Sequence, residues 1–402
     1  MTDRVSRRDF FKLGMAGFLS TPFSFWGNEQ KQNKRWSPSH QMQYRILGQR
    51  TGLRVSEVGI GGYPIDDPDV IYYALDKGIN YIDTAEDYRD GRSEIAIGKA
   101  MRGVRQRVVL TTKWHPWAKT KKSEMLASLD TSLKRLQTDH VDCLLVHQVG
   151  RASGGEALER LQNPELYEAY RLAKQQGKVR FAGVSGHDGD LMEVMNWVID
   201  HGFFDVILMR YNFLVFPEQQ ALIKRAKDKG LGVIAMKTLA GAKGQNDVKL
   251  YRSSGASFKQ AALKWVLSNP DISNLIISIS NRAQIDEYAP VSGSTLTEAD
   301  RELLHYYVEA YGREACTFCN RCESYCPQQV HIANILRYYM YAENYGDVDR
   351  GRSAFLALSP ENRIDGCEGC PAPCLQSCPT GVDIPGELTK AHALLGAREP
   401  LG

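Results

Sequence analysis

Four side chains able to move a proton or hold a charge sit at or just after the ends of apolar runs. The stretch Asn80-Tyr81-Ile82-Asp83-Thr84-Ala85-Glu86-Asp87-Tyr88 places an acid at the end of a hydrophobic segment and a tyrosine five residues on, ahead of Gly91-Arg92-Ser93-Glu94. Val108-Val109-Leu110-Thr111-Thr112-Lys113 ends on a lysine, and Val141-Asp142-Cys143-Leu144-Leu145-Val146-His147 ends on a histidine. A phenol ionises near pH ~10, too high for ready acid/base work at neutral pH, so a cation is expected beside Tyr88. Eight of the nine cysteines fall from Cys316 onward in two tight groups, which reads as metal ligation and not as a disulfide framework.

In order and position, Asp83, Tyr88, Lys113 and His147 resemble the catalytic tetrad of the aldo-keto reductase family, and the D-T-A-x-x-Y and G-R-S-E pieces match its signature. The likeness runs from about Tyr44 to Tyr288. It implies that a nicotinamide hydride attacks a carbonyl carbon while Tyr88 protonates the oxygen. In that scheme Lys113 lowers the pKa of Tyr88, Asp83 holds Lys113 by an ion pair, and His147 donates a hydrogen bond to the carbonyl oxygen. The cofactor positions are less faithful to the family. Ser185 matches the serine of its Ser-Asn carboxamide clamp, but Gly186 replaces the asparagine, Leu208 stands where a glutamine is usual, and Met236 where an aromatic stacks on the nicotinamide. Ser185, Lys237, Gly241, Ser280, Asn281 and Gln284 are the expected contacts to NADP(H) or NAD(H), since a cation and backbone donors at a loop-to-helix junction suit phosphates. Arg282 would favour a 2′-phosphate or serve as a solvated charge. Trp114, His115 and Trp117 are expected to wall the substrate, with packing of the loop as the alternative for the tryptophans.

These residues need a scaffold that brings strand ends together. Strand-like runs occur at Val58–Gly61, Tyr81–Asp83, Val108–Thr112, Cys143–Val146, Phe181–Val184, Val206–Met209, Gly232–Met236 and Leu275–Ile279, alternating with helical stretches at βα spacing. Eight such units predict a (β/α)8 TIM barrel, whose chemistry lies at the C-terminal ends of its strands. The first strand is not followed by G-x-G-x-x-G, which counts against a dinucleotide-binding open sheet. A hairpin, Tyr44–Gly48 turning at Arg50-Thr51-Gly52 into Leu53–Ser56, is expected to plug the barrel bottom. Leu126, Leu129, Leu133 and Leu136, and then Leu166, Ala169, Leu172 and Ala173 ahead of Gly177, recur at helical spacing as core positions. Cys143, inside an apolar run, reads as inert core.

The tail carries a second chemistry. Cys316, Cys319, Cys322, Cys326 and Pro327 form the C-x2-C-x2-C-x3-C-P run of bacterial ferredoxins, and Cys367, Cys370, Cys374, Cys378 and Pro379 repeat it with one extra residue before the third cysteine. By the two-cluster ferredoxin precedent, Cys316, Cys319, Cys322 and Cys378 would bind one [4Fe–4S] cluster, and Cys367, Cys370, Cys374 and Cys326 the other. Zinc is the main alternative, although its sites normally pair C-x2-C knuckles. A helix is expected over Ile332–Tyr345, and Thr295-Leu296-Thr297-Glu298 reads as an N-cap opening the helix that leads to the clusters.

Composition sets the outer bounds. A 402-residue chain with 43% hydrophobic content can bury one large core and a small appendage. Its 50 basic and 47 acidic residues leave a formal net charge of +3, so no global field draws it to nucleic acid or lipid. At the start, Ser6-Arg7-Arg8-Asp9-Phe10-Phe11-Lys12 resembles a twin-arginine export motif, and the apolar run Leu13–Trp26 after it is shorter than the ~20 residues of a membrane span. The expected organisation is a signal and linker over 1–36, a barrel over 37–294, and a helical ferredoxin-like iron–sulfur domain over 295–402. The expectation is thus a periplasmic oxidoreductase acting on a small carbonyl or alcohol, exported by the twin-arginine machinery and able to engage a redox partner protein. The alternative is an electron-transfer or structural partner whose barrel no longer uses free nicotinamide.

Overall fold

The structure is a computed structural model and describes residues 41–150, 158–187, 189–214, 217–241, 257–363, 367 and 369–396. The twin-arginine heptad and its apolar run lie outside the described residues. The eight continuous apolar runs become strands because each is covered on both faces, inside by other strands and outside by helices. They are β3 (Val58–Gly61), β4 (Tyr81–Asp83), β5 (Val109–Trp114), β6 (Val141–Val146), β7 (Val179–Gly186), β8 (Val206–Arg210), β9 (Gly232–Met236) and β10 (Asn274–Ser278). All pair in parallel in the order β10-β3-β4-β5-β6-β7-β8-β9, and β10 closes onto β3 with Leu275 opposite Val58. The register puts Asp83 opposite Thr111, and Lys113 opposite Leu145, so the strand ends rise to a common rim.

The hairpin of β1 (Tyr44–Ile46) and β2 (Arg54–Ser56) is antiparallel. Its Leu47, Leu53 and Val55 pack with the inward residues Tyr81, Leu145 and Leu208, so the barrel is plugged at the bottom and open only at the rim. In the helix Lys122–Leu136 the buried positions are Met125, Leu129, Ser132, Leu133 and Leu136; three of the four expected leucines lie on this stripe, while Leu126 is half-buried beside it and Met125 takes the inner position. The helix Pro164–Gln175 starts on an Asn163 cap and Pro164, whose missing N–H costs nothing in the first turn.

Thr297 caps the helix Glu298–Tyr311 in a capping box closed by Asp300. Asp300 also pairs with Lys264 at 3.1 Å, and Tyr307 packs on Phe258 at 4.7 Å, which lays this helix against the barrel helix Phe258–Leu267. The cysteine-bearing turns follow. They rest on the helices Ile332–Tyr345, Val348–Leu356 and Ile384–Leu395, which share a separate apolar core built around Ile335, Leu336, Phe355, Leu388 and Leu395. Among the described residues no helix is long and apolar enough to cross a membrane.

Candidate active site and cysteine pockets

The turn after β4 is held by buried polar residues. Thr84 N–H donates to Thr111 O at 2.9 Å and Glu86 N–H to Lys113 O at 3.2 Å, so the chain stays laddered to β5 beyond the strand and carries Tyr88 over Lys113. Arg89, Asp90 and Gly91 then take left-handed φ values of 55°, 56° and 82°, which turn the chain into the helix Arg92–Ala100. The Ser93 hydroxyl donates to Gly62 O at 2.8 Å, and Glu94 accepts from the Thr112 hydroxyl at 2.7 Å. Arg135 reaches Glu94 at 3.3 Å and the Glu86 carbonyl at 3.0 Å. The G-R-S-E piece is therefore scaffold for the turn that presents Tyr88.

Four strand-end residues converge there. Lys113 Nζ lies 2.5 Å from Asp83 Oδ1, 2.7 Å from Thr84 O and 3.4 Å from the Tyr88 hydroxyl. Burial disfavours the Lys113 charge, but Asp83 and Tyr88 outweigh it and hold the ammonium above its ordinary pKa. For Tyr88, burial raises the pKa and Asp83 and Asp87 add to the rise, while Lys113 pulls it back without cancelling the effect. The cation sits where the tetrad scheme puts it, yet the phenol rests protonated. His147 packs edge-on to Tyr88 with ring centroids 5.5 Å apart. Burial, with His115 and Lys113 nearby, holds His147 well below its ordinary pKa, so its imidazole is neutral. Tyr63 joins the group at 5.6 Å from Tyr88, with its hydroxyl bonded to Asp347 of the tail.

The loop after β5 divides its residues between core and pocket. Trp114 is 2% exposed and packs on Tyr170 at 4.8 Å, because it lies inside the β5 run and faces the helical layer. It is core and not substrate wall. Trp117 is exposed beneath the Arg160 guanidinium, while His115 lies against His147 with ring centroids 4.4 Å apart.

The residues expected to hold a nicotinamide nucleotide fall into three places. Ser185 is buried near His147, its hydroxyl accepting from Gln148 N–H at 3.0 Å. Ser280, Asn281 and Gln284 build the N-terminus of the helix Arg282–Tyr288: Asn281 caps Gln284 N–H at 3.0 Å, and Gln284 Oε1 accepts from Ser280 N–H at 2.7 Å. Lys237 and Gly241, after β9, are engaged by the tail. Lys237 Nζ lies 3.2 Å from the Tyr341 hydroxyl and 4.6 Å from its ring centroid, and the Gly241 carbonyl accepts from Asn344. Arg350 lies between the rings of Tyr341 and Tyr63, 4.6 and 4.4 Å from their centroids. Burial and the cations Arg350 and Arg337 depress Lys237. For Tyr341, burial pushes upward, but Lys237, Arg337 and Arg350 outweigh it and bring its pKa down to about 8.

The cysteines gather in two cavities. Cys316, Cys319 and Cys322 line one with Cys378; Cys326 lines the other with Cys367, Cys370 and Cys374. Each cavity takes three thiols from one run and one from the other, because the short runs curl while the cysteine before each proline is directed across. Left-handed backbone at Phe318 and Asn320 makes the first curl, and the N–H groups of Phe318 and Val382 donate to Cys316 and Cys378 sulfur, both at 3.3 Å. Burial pushes the Cys316 thiol up to about 12. Four thiols in an apolar pocket with amide donors fit a cuboidal iron–sulfur cluster, whose iron would hold them as thiolates. The first cavity adjoins a cleft lined by Arg210, Lys237, Gly241, Cys316, Phe318 and Met340, which sets it beside the barrel rim.

A barrel with its acid, base and cation at the strand ends, joined to two four-cysteine pockets, describes an oxidoreductase. The chain belongs to the aldo/keto reductase family, whose model matches residues 64–305, and a 4Fe-4S dicluster domain matches residues 315–387. It is 28% identical over 285 residues to L-galactose dehydrogenase of Arabidopsis thaliana, a match covering 61% of this chain and 86% of that protein. The uncharacterized oxidoreductase YrpG of Bacillus subtilis is 30% identical over 291 residues, covering 59% of this chain and 86% of its own. An aldo/keto reductase of Klebsiella pneumoniae, solved in complex with NADP and acetate, superposes with a TM-score of 0.55 at 26% identity, covering 66% of this chain and 95% of that one.

Sequence reasoning passed over Tyr63, Tyr341 and Arg350, and named Asp87 without giving it a role. Only Asp87 carried a local signal, two consecutive acids directly before the tyrosine.

Proposed function

We propose that the protein interconverts a small carbonyl compound and its alcohol at the barrel rim, with Tyr88 as general acid and two [4Fe–4S] clusters joining the pocket to an external redox partner. The observation that carries this reading is the buried chain Asp83–Lys113–Tyr88, at 2.5 and 3.4 Å. Reduction of a carbonyl consumes two electrons and two protons. Tyr88 supplies one proton to the oxygen, Lys113 stabilises the phenolate that remains, Asp83 keeps Lys113 charged and in place, and neutral His147 donates a hydrogen bond that orients the carbonyl. A nicotinamide, when bound, would supply both electrons and the carbon-bound hydrogen as one hydride; clusters would supply the two electrons singly, and the second proton, which ends on carbon, would then come from solvent.

NADP(H) enters by analogy with the Klebsiella pneumoniae structure. Ser185 and Lys237 suit a carboxamide and a phosphate in residue type. One observation favours a second reading, in which the barrel uses no freely exchanging nicotinamide: Lys237 and Gly241 already bond to Tyr341 and Asn344. We propose also that the heptad Ser6–Lys12 exports the folded protein to the periplasm, and cell fractionation of the tagged chain tests this directly. For the cofactor, cluster-loaded protein is titrated with NADPH and NADH by fluorescence. Saturable binding with aldehyde-dependent oxidation supports the first reading; no binding, with turnover driven by a one-electron donor, supports the second; neither form of turnover overturns the proposal.

A further inference from the structure

We infer that Asp87, His115 and His147 form a binding site for one divalent first-row transition metal beside Tyr88. Each residue offers one ligand atom, and the three atoms lie within 4.8 Å of one another. His147 Nδ1 is 3.4 Å from Asp87 Oδ1, and His115 Nε2 is 3.8 Å from Asp87 Oδ2. Ligands about 2.0–2.2 Å from a tetrahedral zinc stand roughly 3.3 Å apart, so the three atoms must close by up to about 1.5 Å from their 4.8 Å limit, through rotation of Asp87 and His115, the two members that reach solvent. Two imidazoles and a carboxylate are a donor set used for catalytic zinc and for non-haem iron, and both keep further positions open.

Three further features point to a cation. His147 is 3% exposed, and its Nδ1 is buried with no hydrogen-bond partner while aimed at the Asp87 carboxylate. A neutral imidazole has one N–H. If Nδ1 carries it, the other nitrogen cannot donate to a carbonyl; if the other nitrogen carries it, the Nδ1 lone pair faces an anion. A metal ion between Nδ1 and Asp87 removes the conflict and fixes the tautomer that the proposed carbonyl role requires. Secondly, Glu86 Oε1 lies 3.4 Å from His115 Nδ1, the outer carboxylate that orients a metal-bound histidine through its far nitrogen. Glu86 is itself held by Ser128 and by His115 N–H. Thirdly, two carboxylates, Glu86 and Asp87, face the two imidazoles, while the Lys113 ammonium bonds to Asp83.

The ion would sit next to the phenol that the tetrad reading makes the acid. That link rests on the reading above, but the site itself stands on three side chains, and the two separate experimentally. Cluster-loaded protein is dialysed against Zn2+ alone, and zinc and iron are counted per chain in the same sample. The expected result is one zinc bound by the wild type and by Tyr88→Phe with iron unchanged, and none by Asp87→Ala or His115→Ala. Glu86→Gln should weaken zinc by about tenfold to a hundredfold, as loss of an outer-shell partner does. Zinc should also raise the melting temperature of the wild type and of neither alanine variant. Absence of zinc from wild type with intact clusters overturns the site, as does zinc that persists in both alanine variants. Loss of carbonyl turnover in Tyr88→Phe with zinc retained leaves the site standing and bears only on the acid.

Discussion

Tyr88 rests as a protonated phenol, and this decides which direction of the reaction needs help. Its pKa lies above the ordinary value because burial outweighs the pull of Lys113. A proton donor in that state serves carbonyl reduction at any pH up to its pKa, whereas alcohol oxidation needs the phenolate. Reduction should therefore hold level from neutral pH and fall only above pH ~10, and oxidation should rise over the same range. Tyr88→Phe keeps the ring against Tyr63 and His147 and loses only the hydroxyl. It should lower kcat for reduction by about 10²–10⁴-fold with iron content and the melting curve unchanged; equal turnover would end the assignment. Gly91 is the residue on which the turn depends. Its φ is +82° and an added Cβ would lie 2.5 Å from the Arg135 guanidinium, so Gly91→Ala should cost at least about 1–2 kcal/mol, read as a lower melting temperature.

At the scale of elements, the helix Ile332–Tyr345 lies against Lys237 and Gly241, just after β9. Tyr341 is its contact with Lys237, and its pKa of about 8 gives a direct readout. One tyrosine should ionise in ultraviolet difference absorbance about two units below the ordinary phenol, and Lys237→Met should return it to the ordinary range or above. The folded state gives up this proton more readily than the unfolded chain, so between about 8 and ~10 the unfolded state binds more protons and stability rises with pH. The contribution is complete above ~10 and is lost as pH falls through about 8. Lys237→Met should flatten that rise. None of this was legible in the sequence, since Lys237 and Tyr341 are 104 positions apart and no local pattern pairs a lysine with a distant ring. The strands were legible because each is a short apolar run at βα spacing, with ends that the structure moves by a residue or two. The convergence of Asp83, Tyr88, Lys113 and His147 was legible because a barrel rim gathers strand ends. Ser280, Asn281 and Gln284 hydrogen-bond among themselves at the start of their own helix, so their residue types alone do not separate a cap from a phosphate contact.

For the whole molecule the question is the route by which electrons reach the rim. The cavity of Cys316, Cys319, Cys322 and Cys378 adjoins the cleft lined by Arg210, Lys237 and Met340, and Arg210 at the end of β8 lies 5.3 Å from the Phe318 ring. The first cavity shares Cys316 and Thr317 with that cleft, whereas the cavity of Cys326, Cys367, Cys370 and Cys374 shares no lining residue with it, which makes the second the outer of the two. An electron from a partner protein would therefore enter at the outer pocket and leave from the inner one. Under the proposed export, the protein would work in a compartment without a pool of free NADPH, and the two proposed clusters would gather the two electrons that one carbonyl consumes. Anaerobically purified protein should carry about eight irons and eight acid-labile sulfides per chain. Because the ligand sets are crossed, Cys378→Ser should remove the same four irons as the double variant Cys316→Ser/Cys319→Ser, although it lies in the other run. Each of these, and Cys367→Ser/Cys370→Ser at the outer pocket, should abolish carbonyl turnover driven by an artificial one-electron donor. Turnover with added NADPH, where the wild type shows it, should survive in all three, because Asp83, Tyr88, Lys113 and His147 are untouched. Donor-driven turnover that persists without the inner cluster would show that the tail only braces the C-terminus, and the helix across Lys237 would then be a clamp and not the last span of a conduit.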